Sequence, residues 1–191
     1  MNPNLKNMTL ALIAATAISG CKKDEEETVT PPIVNEEEVI TTMILAFDGQ
    51  NGAADKELRF ADADGDGGGV PVLDLDTLQA ASDYNVSIIL LNETASPVDT
   101  ISNEVLDEGV DHQFFFQLTG ANMTFTYADA DANGNPIGLQ TTMATGTASV
   151  GTLKVTLRHQ PDKSAAGVVS GDITNAGGET DIEVEFPIVI E

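Results

Sequence analysis

The chain has 191 residues, with 8 basic and 31 acidic side chains, a net charge of −23 and one cysteine. Between Arg59 and Lys154 there is no Lys or Arg, whereas that interval holds 14 Asp and Glu; so acidic a surface repels phosphate backbones and anionic lipid, which excludes nucleic acid as a partner. A lone cysteine excludes an intramolecular disulfide, so stability must come from an ordinary apolar core, with or without a bound metal.

The first element in chain order is a leader. Lys6 supplies a positive start, residues 8–18 form a short apolar run, and small residues lead to Cys21. That is the layout of a cleaved secretory signal, residues 1–20. The run is shorter than the roughly 20 apolar residues a membrane-crossing helix needs. Ile18-Ser19-Gly20-Cys21 resembles the lipobox of bacterial lipoproteins, which implies that Cys21 is lipidated and becomes the mature N-terminus. Lys22-Lys23-Asp24-Glu25-Glu26-Glu27 resembles the acidic export signal of Bacteroidota lipoproteins, which implies the outer face of the outer membrane. Residues 21–38 then read as the lipidated cysteine and an acidic, Pro-containing flexible tether. Its 17 residues beyond the cysteine reach at most roughly 55 Å, at about 3.3 Å each, so the lipid is the only contact with the membrane.

Residues 39–191 read as one domain. Runs rich in Val, Ile, Thr and Phe recur at 39–47, 57–60, 70–75, 84–92, 112–118, 123–128, 139–145, 152–159 and 181–190, separated by Gly, Asn and Asp. Residues 152–158 and 182–186 alternate with period 2, so each should bury one face, and the continuously apolar 88–91 reads as a central strand. Residues 102–111 predict the one short helix, capped by Ser102, with Val105, Leu106 and Val110 inward. The pattern predicts an all-β antiparallel sandwich of the Ig-like or Greek-key type with about seven to nine strands, the alternative being a β-barrel.

Segments along this domain resemble a family of uncharacterised secreted lipoproteins from flavobacteria and their relatives. They are Asp62-Ala63-Asp64-Gly65-Asp66-Gly67, Leu91-Asn92-Glu93-Thr94-Ala95-Ser96-Pro97, Asp111-His112-Gln113-Phe114-Phe115-Phe116, Asp129-Ala130-Asp131-Ala132-Asn133-Gly134-Asn135-Pro136, Leu157-Arg158-His159-Gln160-Pro161-Asp162-Lys163-Ser164 and Gly171-Asp172-Ile173-Thr174-Asn175-Ala176-Gly177-Gly178-Glu179-Thr180. The resemblance transfers no established activity. Some relatives are labelled a type 1 periplasmic binding fold, but that two-lobed architecture needs alternating strands and long helices, and this chain has neither.

Two loops concentrate oxygen ligands. Asp62, Asp64 and Asp66 precede Gly67 at every second position, the spacing of the first half of an EF-hand-type loop, and Asp129, Asp131 and Asn133 precede Gly134 likewise. Both lack an acid at the twelfth position, where Leu73 and Gln140 stand. Calcium is the expected cofactor of such loops; the competing reading is that Asp, Asn and Gly merely make tight connections. His112 and His159 flank apolar runs and raise a bis-histidine haem or copper site, against the commoner strand-end histidine held by a carboxylate or carbonyl. Asp76-Thr77-Leu78 and Asp99-Thr100-Ile101 resemble the O-glycosylation signal of Bacteroidota secreted proteins, marking Thr77 and Thr100. Catalytic signatures are missing: no nucleophile elbow, no phosphate loop, and the sole thiol is committed to lipid. With no Trp and only Tyr84 and Tyr127, sugar-stacking platforms are scarce, and both tyrosines read as packing residues. The long connection before the last strand, with Lys163 and Asp172, offers a binding loop.

The sequence therefore predicts a surface-exposed outer-membrane lipoprotein with a non-enzymatic binding or scaffold role, with calcium as its candidate cofactor. The alternatives are a structural accessory subunit docking an outer-membrane protein through residues 173–179 or a strand edge, and a haem- or metal-scavenging lipoprotein.

Overall fold

Every run predicted as a strand pairs as one in the computed structural model, which describes residues 38–63 and 68–191. In chain order they are β1 (Thr42–Gly49), β2 (Lys56–Ala61), β3 (Val72–Leu75), β4 (Asp83–Leu91), the helix α1 (Ile101–Asp107), β5 (His112–Thr119), β6 (Met123–Tyr127), β7 (Gln140–Thr145), β8 (Ser149–His159) and β9 (Glu179–Ile190). Cys21, Asp64 and Asp66 lie outside the described residues. Those described belong to one compact unit, Glu36–Glu191.

The strands form two sheets, a six-stranded one in the order β3-β2-β1-β4-β7-β6 and a three-stranded one in the order β5-β8-β9. All neighbouring strands are antiparallel. The architecture is an all-β sandwich; no barrel closes. Alternation produces it. Met43, Leu45 and Phe47 of β1, Tyr84, Val86, Ile88 and Leu90 of β4, Leu153, Val155 and Leu157 of β8, and Val184, Phe186 and Ile188 of β9 are buried in one shared core. The predicted central strand is β4, between β1 and β7.

The helix departs from expectation. It begins at Ile101, capped by Thr100 without a side-chain bond, and not at Ser102. Ile101 and Val105 face inward, whereas Leu106 and Val110 are exposed. Four residues apart, Ile101 and Val105 share one side of a helix, and that side packs on β4. No helix among the described residues is long and apolar enough to cross a membrane.

β5 is covered on both faces, which explains its unbroken Phe114-Phe115-Phe116. Phe114 enters the main core, and Phe115 packs under the connection between β8 and β9, against Val168 and Ala176. That connection contains two single-turn 3-10 helices, Val168–Ser170 and Ile173–Asn175.

Candidate metal centre

β5 starts with a histidine and β8 ends with one, and antiparallel pairing sets His112 directly opposite His159. Directly opposed residues point to the same face, here the inner face that Phe114 and Leu157 also share. The two imidazoles stack, with ring centres 4.8 Å apart and planes 30° apart. His112 is 1% exposed.

A β-bulge supplies the third member. Leu157 pairs with Ile182 but Arg158 pairs with Thr180, so Asp181 has no partner on β8. Without this slip Asp181 would alternate outward with Glu183. The extra residue instead turns it toward the histidines, the re-aiming that bulges commonly perform beside sites. Asp181 Oδ2 lies 3.7 Å from His112 Nε2, and Oδ1 lies 3.8 Å from His159 Nδ1. Gly178, at φ +69°, brings the start of β9 against the His159 carbonyl, where a Cβ would collide with that oxygen.

Both contacts are too long for hydrogen bonds, and Asp181 Oδ2 is buried without a hydrogen-bond partner. They do suit ligands of one ion: a tetrahedral metal with bonds of about 2.1 Å holds its donor atoms about 3.4 Å apart. The His112 tautomer is also set. Its Nδ1 lies 3.1 Å from the Glu108 carbonyl oxygen, which can only accept, so Nδ1 carries the proton. In the neutral ring Nε2 then presents its lone pair toward Asp181, the arrangement that second-shell carbonyls impose on metal-binding histidines.

Among the described residues, no Lys or Arg figures among the charges that shift the two acids here. Burial holds the Asp181 carboxyl above its ordinary value, opposed by the two histidines and reinforced by Glu179. Glu38, at the start of the domain, is pushed up to about 7 by burial and then by Glu104, Asp181, Glu108 and Asp99, all acids. Its Oε2 is likewise buried without a hydrogen-bond partner. Glu38, Glu108 and His112 form a second group whose ligand atoms all lie within 4.8 Å of one another, as do those of His112, His159 and Asp181. Crowded carboxylates attract a cation.

The geometry separates the two chemistries raised for the histidines. Axial haem ligation needs imidazoles on opposite sides of a porphyrin, and these two stack side by side. A single metal ion is compatible with them; a bis-histidine haem is not.

Of the expected calcium residues, Asp62, Asp129, Asp131 and Asn133 are described. Asp62 closes the end of β2, its N–H donating to the Thr41 carbonyl. In the second loop the oxygens already face donors. Asp129 accepts from the N–H groups of Gly138 and Gln140, at 2.7 and 2.8 Å. Asp131 accepts from the N–H groups of Asn133 and Asn135 and from Lys163 Nζ at 2.9 Å. Asn133 is exposed. The ammonium of Lys163 therefore stands where a calcium ion was expected at Asp131. Thr77 and Thr100 are half-buried, Thr100 as the helix cap. Of the residues expected on a binding loop, Lys163 is buried and bonded within the fold, whereas Asp172 is exposed and accepts from Thr174 N–H within its own turn. Tyr84 and Tyr127 pack as expected, their hydroxyls bonded to Gln79 N–H and the Phe114 carbonyl.

Asp181 and Glu38 were not foreseen as site residues. Asp181 sits among Glu179, Thr180 and Glu183 and looks like another solvated acid; only the bulge distinguishes it. Comparison with family models, curated proteins and solved structures gives no match to this chain.

Proposed function

We propose that this protein is a lipid-anchored, non-enzymatic metal-binding lipoprotein of the outer membrane, facing outward, whose ligand is a divalent transition metal such as zinc, copper or nickel. One observation carries the metal reading: two opposed histidines converge on a bulge-aimed carboxylate whose buried Oδ2 has no hydrogen-bond partner. Imidazole donors favour these metals over calcium, which prefers six to eight oxygens. The burial of His112 leaves little room for a substrate beside the ion, which supports binding over turnover. The address rests on the leader, Cys21 and the acidic residues after it. The carboxylate spacing of Asp62, Asp64 and Asp66 still supports a separate, weaker calcium site.

Calorimetric titration of the lipid-free domain with zinc tests the reading. One ion per chain should bind, with affinity at least tenfold weaker in His112→Ala, in His159→Ala and in Asp181→Asn. Heat that is unchanged in all three variants would refute it.

A further inference from the structure

A cavity lies farther along β5, apart from the histidines. β5 and β6 are edge strands of different sheets, and between them opens a cavity of about 350 Å³ walled by Phe116, Leu118, Phe125, Tyr127, Val169 and Ser170. This is within the size range of small-molecule pockets.

The walls are built to hold their shape. Phe116 stacks on Phe125 with ring centres 4.6 Å apart and planes 9° apart, and Tyr127 tilts against Phe116 at 6.1 Å. The Tyr127 hydroxyl donates to the Phe114 carbonyl at 2.6 Å and accepts from Gln113 Nε2. That same Nε2 donates to the Val168 carbonyl at 2.7 Å, tying the opposite wall, the Val168–Ser170 turn, to β5. Gly167 and Gly171 bracket this turn in left-handed conformations, and a Cβ on Gly171 would crowd the Tyr127 hydroxyl. Val168 is fully buried beneath the turn, while Val169 is 44% exposed beside the cavity.

Charge narrows the ligand. No lining residue is ionisable apart from the Tyr127 phenol, and the acids Asp129 and Asp172 stand two residues from Tyr127 and one from Gly171. The nearest cation along β5 is Lys154, opposite Gln117, and Glu183 and Glu185 hold its ammonium on the outer face of the sheet. With acids and no Lys or Arg flanking the lining in sequence, the aromatic walls favour an ammonium over an anion.

We infer that the cavity between β5 and β6 binds a compact ring-bearing molecule that carries a positive charge. Three probes of similar size separate the contributions: phenethylamine, phenethyl alcohol and phenylacetate, each titrated into the isotopically labelled lipid-free domain while backbone amide shifts are followed. Phenethylamine should shift the amides of Tyr127 and Val169–Gly171 saturably. The alcohol should bind more weakly, and phenylacetate at least tenfold more weakly than the amine. Val169→Trp, a change at a half-exposed wall, should fill the cavity and abolish those shifts while leaving the melting temperature near that of the parent. The inference is overturned if phenylacetate binds as well as the amine, if the shifts persist in Val169→Trp, or if the amine shifts only amides elsewhere or none.

Discussion

Lys163 and Asp131 form the ion pair on which three connections converge. Lys163 Nζ donates to the Gly109 carbonyl at 2.6 Å, the Pro136 carbonyl at 3.0 Å and Asp131 at 2.9 Å, which uses all three of its protons. The side chains are only 6% and 1% exposed. Removing one partner of such a pair strands the other's charge in a dry place, so Lys163→Met should destabilise the domain by about 3–5 kcal/mol in urea unfolding at neutral pH. Burial works to raise the Asp131 carboxyl, but Lys163 and the N–H groups of Asn135 and Asn133 outweigh it and hold it below its ordinary 3.8. A lowered folded value contributes stability that is present above 3.8 and lost as pH falls through the folded value. The parent should therefore lose more stability than Asp131→Asn does as pH drops from 5 to 2, as followed by thermal unfolding at each pH. The spacing of Asp129, Asp131 and Asn133 pointed to calcium because it concentrates oxygens in one loop. It could not reveal that the neutralising cation is a lysine 32 residues away, because that pairing exists only after the fold forms.

At the scale of elements, the strands were legible because each buries one face and alternates. Helix α1 was legible in place but not in phase: Ser102 offers a better cap than Thr100, yet burying Ile101 against β4 outweighs a single capping bond. The bulge in β9 was not legible. Glu179-Thr180-Asp181-Ile182-Glu183-Val184 reads locally as an ordinary strand, and the slip appears only in its register with β8. The bulge nevertheless decides whether Asp181 faces the histidines. Deleting Thr180 would place Asp181 opposite Arg158 and return it to the outer face, since a one-residue shift flips a side chain across the sheet. Zinc affinity of that deletion variant, measured by calorimetry, should fall at least tenfold, while its far-ultraviolet circular dichroism keeps the β signature.

For the whole molecule, the leader and the domain divide the proposed work between address and binding. The chain's net charge of −23 disfavours anionic lipid, so in the proposed reading attachment rests on Cys21 alone. Cys21→Ser should move the protein from the outer-membrane fraction to a soluble one on cell fractionation, with zinc binding by the domain unchanged. Fold class was readable from composition and periodicity alone. The candidate metal centre was half readable, since His112 and His159 were visible as strand-end histidines, but their opposition depends on which strands pair, and β5 and β8 are separated by two strands of the other sheet. The central claim is that these histidines and Asp181 share one ion. Anomalous scattering at the zinc edge, from crystals grown with zinc and calcium together, tests it most directly. The account predicts a zinc peak within about 2.1 Å of His112 Nε2, bridging to His159 and Asp181; a cluster without a peak, with zinc found only among the exposed acids, would contradict it.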